Sequence, residues 1–166
     1  MIRAFLASFA SLLILGTIAQ ASAKIAPHSG KELCSALTIE DYNKASVPVT
    51  ALKEANLDND ANAYCVYDSK NGKVEFDIFY PAGESADDAK GTERTVLAEV
   101  GGKFESIQVA GADSAEINLA VPGKEPSASI AVRWKTAVFT LNIPAGSNAR
   151  QQLTSLAQTA LGRLRQ

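Results

Sequence analysis

Apolar and polar residues alternate through Ala63–Ser69 and again through Val74–Tyr80, and Asn71-Gly72 stands between the two runs. That combination predicts a β-hairpin with a two-residue turn. The turn would set Tyr67 opposite Phe76, Cys65 opposite Ile78 and Ala63 opposite Tyr80, all on one face with Val74. The other face would carry Asp68 opposite Glu75, Val66 opposite Asp77 and Tyr64 opposite Phe79. Facing carboxylates are unfavourable when buried, so this second face is expected to be the wetter one.

Further along, Ile117, Leu119 and Val121 alternate with Glu116, Asn118 and Ala120, and Phe104–Val109 reads as a shorter strand before them. A later pair centres on Lys135-Thr136, with Val132 facing Phe139, Ile130 facing Leu141, Ala128 facing Ile143 and Trp134 facing Ala137. Helical spacing appears in three places. Thr38 with Asp41 forms a capping-box variant flanked by a Leu37–Tyr42 staple, and Pro48 stops that helix early. Asp87–Val100 is a second helix, weakened by Gly91 and ended by Gly101-Gly102. Leu153, Leu156, Ala157, Ala160, Leu161 and Leu164 form the apolar stripe of a third, capped by Asn148 with Gln151 at N3. The order α-β-β-α-β-β-β-β-α lacks β-α-β alternation. It predicts an α+β fold, an antiparallel sheet of about five to six strands with helices packed on one face.

The amino terminus reads differently. Met1-Ile2-Arg3 carries one positive charge, Ala4–Ile18 is uncharged and mostly apolar, and Ala21-Ser22-Ala23 is a small-x-small cleavage pattern. Residues 1–23 therefore read as a secretory signal peptide, with an uncleaved anchor as the alternative. Cleavage would leave residues 24–166 as a single domain, periplasmic or secreted, with residues 24–31 a linker. No second apolar stretch approaches the about 20 residues a membrane span needs. Two cysteines remain, Cys34 and Cys65. In an exported chain an even count reads as a disulfide, and the hairpin register turns Cys65 toward the core. Free or metal-binding thiols are the alternative, although the spacing is not C-x-x-C.

Composition mainly removes possibilities. Without the leader the chain carries 15 basic against 18 acidic residues, interspersed, with no basic stripe for nucleic acid. Its one histidine, His28, lies in the linker, which disfavours a Ser-His-Asp triad, and there is no G-x-S-x-G, P-loop or G-x-G-x-x-G motif. Asp58, Asp60 and Asn62 match the first ligand positions of an EF-hand, but Ala63 and Ser69 replace the turn glycine and the bidentate glutamate. That stretch reads as a solvated loop. No metal and no cofactor are expected. Tyr64 and Phe79, together on the wetter face, form a candidate binding platform.

Leu33-Cys34, Leu37–Tyr42, Tyr64–Tyr67 and Gly72–Val74, with Val109–Ala115 and the closing Leu153–Leu164 helix, resemble a family of small actinobacterial envelope lipoproteins. Those are similar in layout to the extracellular sensor domains of some mycobacterial kinases. The resemblance implies a two-cysteine α+β envelope domain and supplies no catalytic residues. One feature departs from it, because no cysteine follows the cleavage site to take a lipid. The resulting expectation is an exported, non-catalytic accessory or ligand-sensing domain. Its partner would be a protein or small molecule of the cell envelope. The alternatives are a small secreted enzyme using carboxylate or tyrosine chemistry and a structural or inhibitory protein.

Overall fold

The computed structural model describes residues 30–58, 62–79 and 85–165. Residues 1–23, read above as a signal peptide, and His28 and Tyr80 lie outside the described residues. Two short helices open the described chain, α1 (Gly30–Cys34) and α2 (Ile39–Lys44), followed by β1 (Val49–Asp58), β2 (Asn62–Ser69) and β3 (Val74–Phe79). Helix α3 (Ala86–Val100), strands β4 (Glu105–Ser106), β5 (Ser114–Val121), β6 (Ser127–Trp134) and β7 (Ala137–Pro144), and helix α4 (Ala149–Leu164) complete it. The strands form one seven-stranded sheet in the order β1-β2-β3-β7-β6-β5-β4, antiparallel throughout. The sheet thus has seven strands where the sequence suggests five to six. None of the described helices is long and apolar enough to cross a membrane.

The extra strand is β1, whose sequence Val-Thr-Ala-Leu-Lys-Glu-Ala-Asn has no period of two. It lies at the sheet edge with residues 51–56 exposed, so no burial imposes alternation on it. Gly30 and Lys31, expected in a linker, open α1 instead. A Cβ on Gly30 would stand 2.7 Å from the Asn56 backbone nitrogen, so glycine lets α1 approach β1 this closely.

The two hairpins test the alternation directly. In β6–β7 the observed partners are Val132↔Phe139, Ile130↔Leu141, Ala128↔Ile143 and Trp134↔Ala137, as the pattern predicts. Lys135 takes a left-handed backbone there, with φ 53°. The Asp113 carboxylate accepts its backbone N–H at 2.6 Å, which supports a turn whose own residues are poor turn formers. In β2–β3 the partners are Tyr67↔Val74, Cys65↔Phe76 and Ala63↔Ile78, two positions from the expected pairing. The turn is centred one residue earlier, and Gly72 follows it at φ 124°. Because side chains repeat every two residues, this slip preserves both faces. Tyr67, Cys65, Ala63, Val74, Phe76 and Ile78 are all buried.

That buried face is covered by α4, whose Leu153, Leu156, Ala157, Ala160 and Leu161 pack with Ile130, Val132, Phe139, Leu141 and Ile143 in one core. Asn148 stands at the α4 N-cap as expected, but its side chain makes no capping bond. Its backbone, at φ −101° and ψ 4°, is not in the extended conformation that turns a cap side chain back onto the helix. Helix α3 packs on the opposite face, over β6 and β7. The expectation of helices on one face is therefore corrected. Ser129, Ala131, Arg133, Val138 and Thr140 are buried on the α3 side, so β6 and β7 are enclosed on both faces. We call the α4 side the inner face and the α3 side the outer face.

Cys34, at the end of α1, is bonded to Cys65 of β2, with Cα atoms 5.6 Å apart. Closing a loop of 31 residues' separation restricts the unfolded chain by about 3–4 kcal/mol on the entropy model. The Tyr67 hydroxyl donates to the carbonyls of Leu37 (2.9 Å) and Cys34 (3.3 Å), and its ring lies 4.7 Å from that of Tyr42. Arg163 of α4 completes the clamp by donating to both Asp41 oxygens, at 2.6 and 2.9 Å, and to the Ala36 carbonyl.

Candidate functional site

Outside α3's cover, the outer face of β2 and β3 carries Tyr64, Glu75, Asp77 and Phe79 half-buried, with Val66 buried among them. Period-two geometry places Tyr64 and Val66 of β2 on this face, with Glu75, Asp77 and Phe79 of β3 and Val138, Thr140 and Asn142 of β7. Tyr64 stands opposite Asp77, and Phe79 lies one step further along the same face, opposite Asn62 and Val138. The two rings expected to face each other are thus diagonal neighbours, still within reach across a sheet. The Tyr64 hydroxyl donates to Glu54 Oε1 of the edge strand at 2.7 Å.

Asp77 is the carboxylate at the centre of this row. Burial raises its pKa to about 6, the negative charge of Glu75 adds to the rise, and the Thr140 hydroxyl, donating at 3.3 Å, opposes it. Glu75 is held by the Lys73 ammonium, whose own pKa that pairing raises. The sequence shows Asp77 on the wetter face but gives no sign of its environment. Thr140, which partly encloses it, is 63 residues away on a mostly apolar strand.

Other ionisable groups in the interior hold one another. Glu93 of α3 accepts from Arg133 Nε at 2.9 Å and from the Ser114 hydroxyl at 2.5 Å, with Asp113 3.7 Å from the same guanidinium. This network anchors α3 to β5 and β6, and it was not legible because Glu93 occupies an apolar helix position. Asp41 is held well below the usual carboxylate range, chiefly by the hydrogen bond from Arg163. Burial pushes Tyr42 upward and takes Tyr67 to about 12, which keeps both phenols protonated.

The calcium-loop residues take a different form. Asn56, Leu57 and Asp58 belong to β1, and Asp58 pairs with Asn62 in the ladder, a strand arrangement without the flanking helices of an EF-hand. Residues 59–61, including Asp60, lie outside the described residues. Among the described residues no group of three or more His, Cys, Asp or Glu side chains converges. Comparison of the chain with protein-family models and with curated proteins found no match.

Proposed function

We propose that this protein is an exported, non-catalytic domain of the cell envelope that binds a partner through the outer face of β2 and β3. Export is supported by the leader pattern of residues 1–23 and by the Cys34–Cys65 bond, since disulfides persist in oxidising compartments. The observation that carries the binding reading is the uneven cover of the sheet. The outer face is enclosed over β6 and β7, yet it leaves Tyr64, Asp77 and Phe79 half-exposed side by side. Aromatic side chains of this kind supply large contact area at little conformational cost, which suits a recognition surface. The resemblance to two-cysteine envelope domains agrees with this reading.

The test is native mass spectrometry of the protein recovered from the exported fraction of its own cell. Wild type is expected to carry a bound species that a Tyr64→Ala/Phe79→Ala variant of unchanged fold does not. Equal loading of both proteins would refute the proposal. A second reading, a secreted enzyme using a carboxylate, draws on one observation, the raised Asp77 beside Tyr64. Hydrolysis that peaks near pH 6 and is lost in Asp77→Asn would favour it.

A further inference from the structure

At the hairpin end of the same outer face lies a cleft of about 330 Å³, near the lower end of the range of about 300–1,000 Å³ for small-molecule sites. Its floor is built by Glu75, Ser127 and Asn142, which neighbouring strands β3, β6 and β7 bring together: Asn142 pairs with Glu75 on one side and with Ser129 on the other. The β2–β3 turn forms one wall with Asn71 and Lys73, and the β5–β6 loop forms the other with Glu125. Val100, Val121 and Pro144 supply apolar surface.

The polar groups here are unspent. The side chains of Asn71, Glu125, Ser127 and Asn142 make no hydrogen bond among the described residues. Beside Asn142 in the ladder, the Ser129 hydroxyl is fully buried and also without a hydrogen-bond partner among them. Asn71 and Glu125 are exposed and water can satisfy them, but Ser127 and Asn142 are half-buried. Polar groups withdrawn from water are normally satisfied, so this pair with the buried Ser129 beside it calls for a partner. Two amides and a hydroxyl both donate and accept, which matches ligands whose hydroxyls do the same. Lys73 is neutralised by Glu75, so Glu125 leaves the cleft with one net negative charge. That disfavours phosphates and carboxylates, and among the described residues no aromatic ring lines the cleft to stack a base.

We propose that this cleft is a saccharide-binding site that favours an amino sugar, with Asn142, Asn71 and Ser127 on the hydroxyls and Glu125 on the ammonium. It is a different site from the Tyr64–Phe79 face and stands or falls separately. The test is titration of the isotope-labelled protein with the β-1,4-linked glucosamine disaccharide and, in parallel, with the glucose disaccharide cellobiose, followed by amide NMR. The glucosamine disaccharide is expected to produce saturable shifts at Gly72, Glu125, Ser127 and Asn142 and to bind more tightly than cellobiose. Asn142→Ala should weaken it about tenfold, the effect of losing one well-made hydrogen bond. Glu125→Gln, an exposed loop change, should abolish the preference over cellobiose, and Tyr64→Ala should leave both affinities unchanged. Absence of saturable shifts up to the solubility limit, shifts confined to other surfaces, or undiminished affinity in Asn142→Ala with the fold intact would each overturn the proposal.

Discussion

Replacing Phe76 by alanine tests the two-faced sheet at its centre. Phe76 is fully buried on the inner face of β3, between Cys65 of β2 and Leu141 of β7. Its ring meets Phe139 edge-on at 5.7 Å. Truncating an enclosed phenylalanine costs about 3–5 kcal/mol, from lost transfer energy and the residual cavity. The edge-to-face pair contributes about 0.5–1.5 kcal/mol beyond its buried area, which places the expectation near the top of that range. Phe79 lies on the outer face of the same strand, is half-exposed, and stands opposite Asn62 and Val138. Its truncation should cost about 1 kcal/mol, in proportion to the smaller apolar area removed. Urea unfolding followed by Trp134 fluorescence reads both. A loss of about 4 kcal/mol would lower Tm by about 8–16 °C in a domain of this size. Equal destabilisation by the two substitutions would mean that the outer face of β3 is as enclosed as the inner one, and the proposed recognition surface would fall with it.

Cys65→Ser should destabilise by about 2–5 kcal/mol, and thiol counting on the unfolded, unreduced wild type should find no free thiol among its two cysteines. Glu93→Ala leaves the buried Arg133 with only Asp113, 3.7 Å away, and should cost about 3 kcal/mol by chemical denaturation, the lower end for breaking a buried pair, whereas Glu93→Gln, which can still accept from Arg133, should cost less. The raised Asp77 makes a signed prediction about pH. The folded state holds its proton up to about pH 6 and the unfolded chain releases it near 4, so stability falls as pH rises through that window. Asp77→Asn should therefore be more stable than wild type at pH 7, by up to about 3 kcal/mol, with the gain vanishing near pH 4. A constant difference across that range would contradict the assignment.

Legibility of the fold followed burial. The β6–β7 register could be read residue by residue because both strands are enclosed and each position is forced to one face. The β2–β3 faces were equally legible, although the turn slipped, since a two-position shift leaves the apolar set in place. Edge strand β1 was not, because residues 51–56 stay exposed despite the close approach of α1 at Asn56, and Thr50–Leu57 carries no alternation. In β5 an irregularity after Asn118 breaks the expected alternation. Asn118 is buried, donating to the Gly101 carbonyl at 2.9 Å and accepting from the Ala120 N–H, while Leu119 is exposed. The two-sided sheet was missed because α3 seats its charged Glu93 on Arg133, a pairing no hydrophobic pattern announces. For the candidate site, the sequence placed Tyr64 and Phe79 on one face. It could not show Asp77 between strands or the cleft at the hairpin end, both of which depend on β7, far along the chain.

Hydroxyl-radical footprinting of the protein as isolated from its own cell, before and after treatment that strips bound species, addresses the proposed recognition surface most directly. Oxidation of the half-exposed Tyr64 and Phe79 side chains should fall when the partner is bound. The exposed Ile39 on α2 and Leu119 on β5 should react equally in both states. Unchanged oxidation of Tyr64 and Phe79, with protection appearing only elsewhere, would contradict binding through the outer face of β2 and β3.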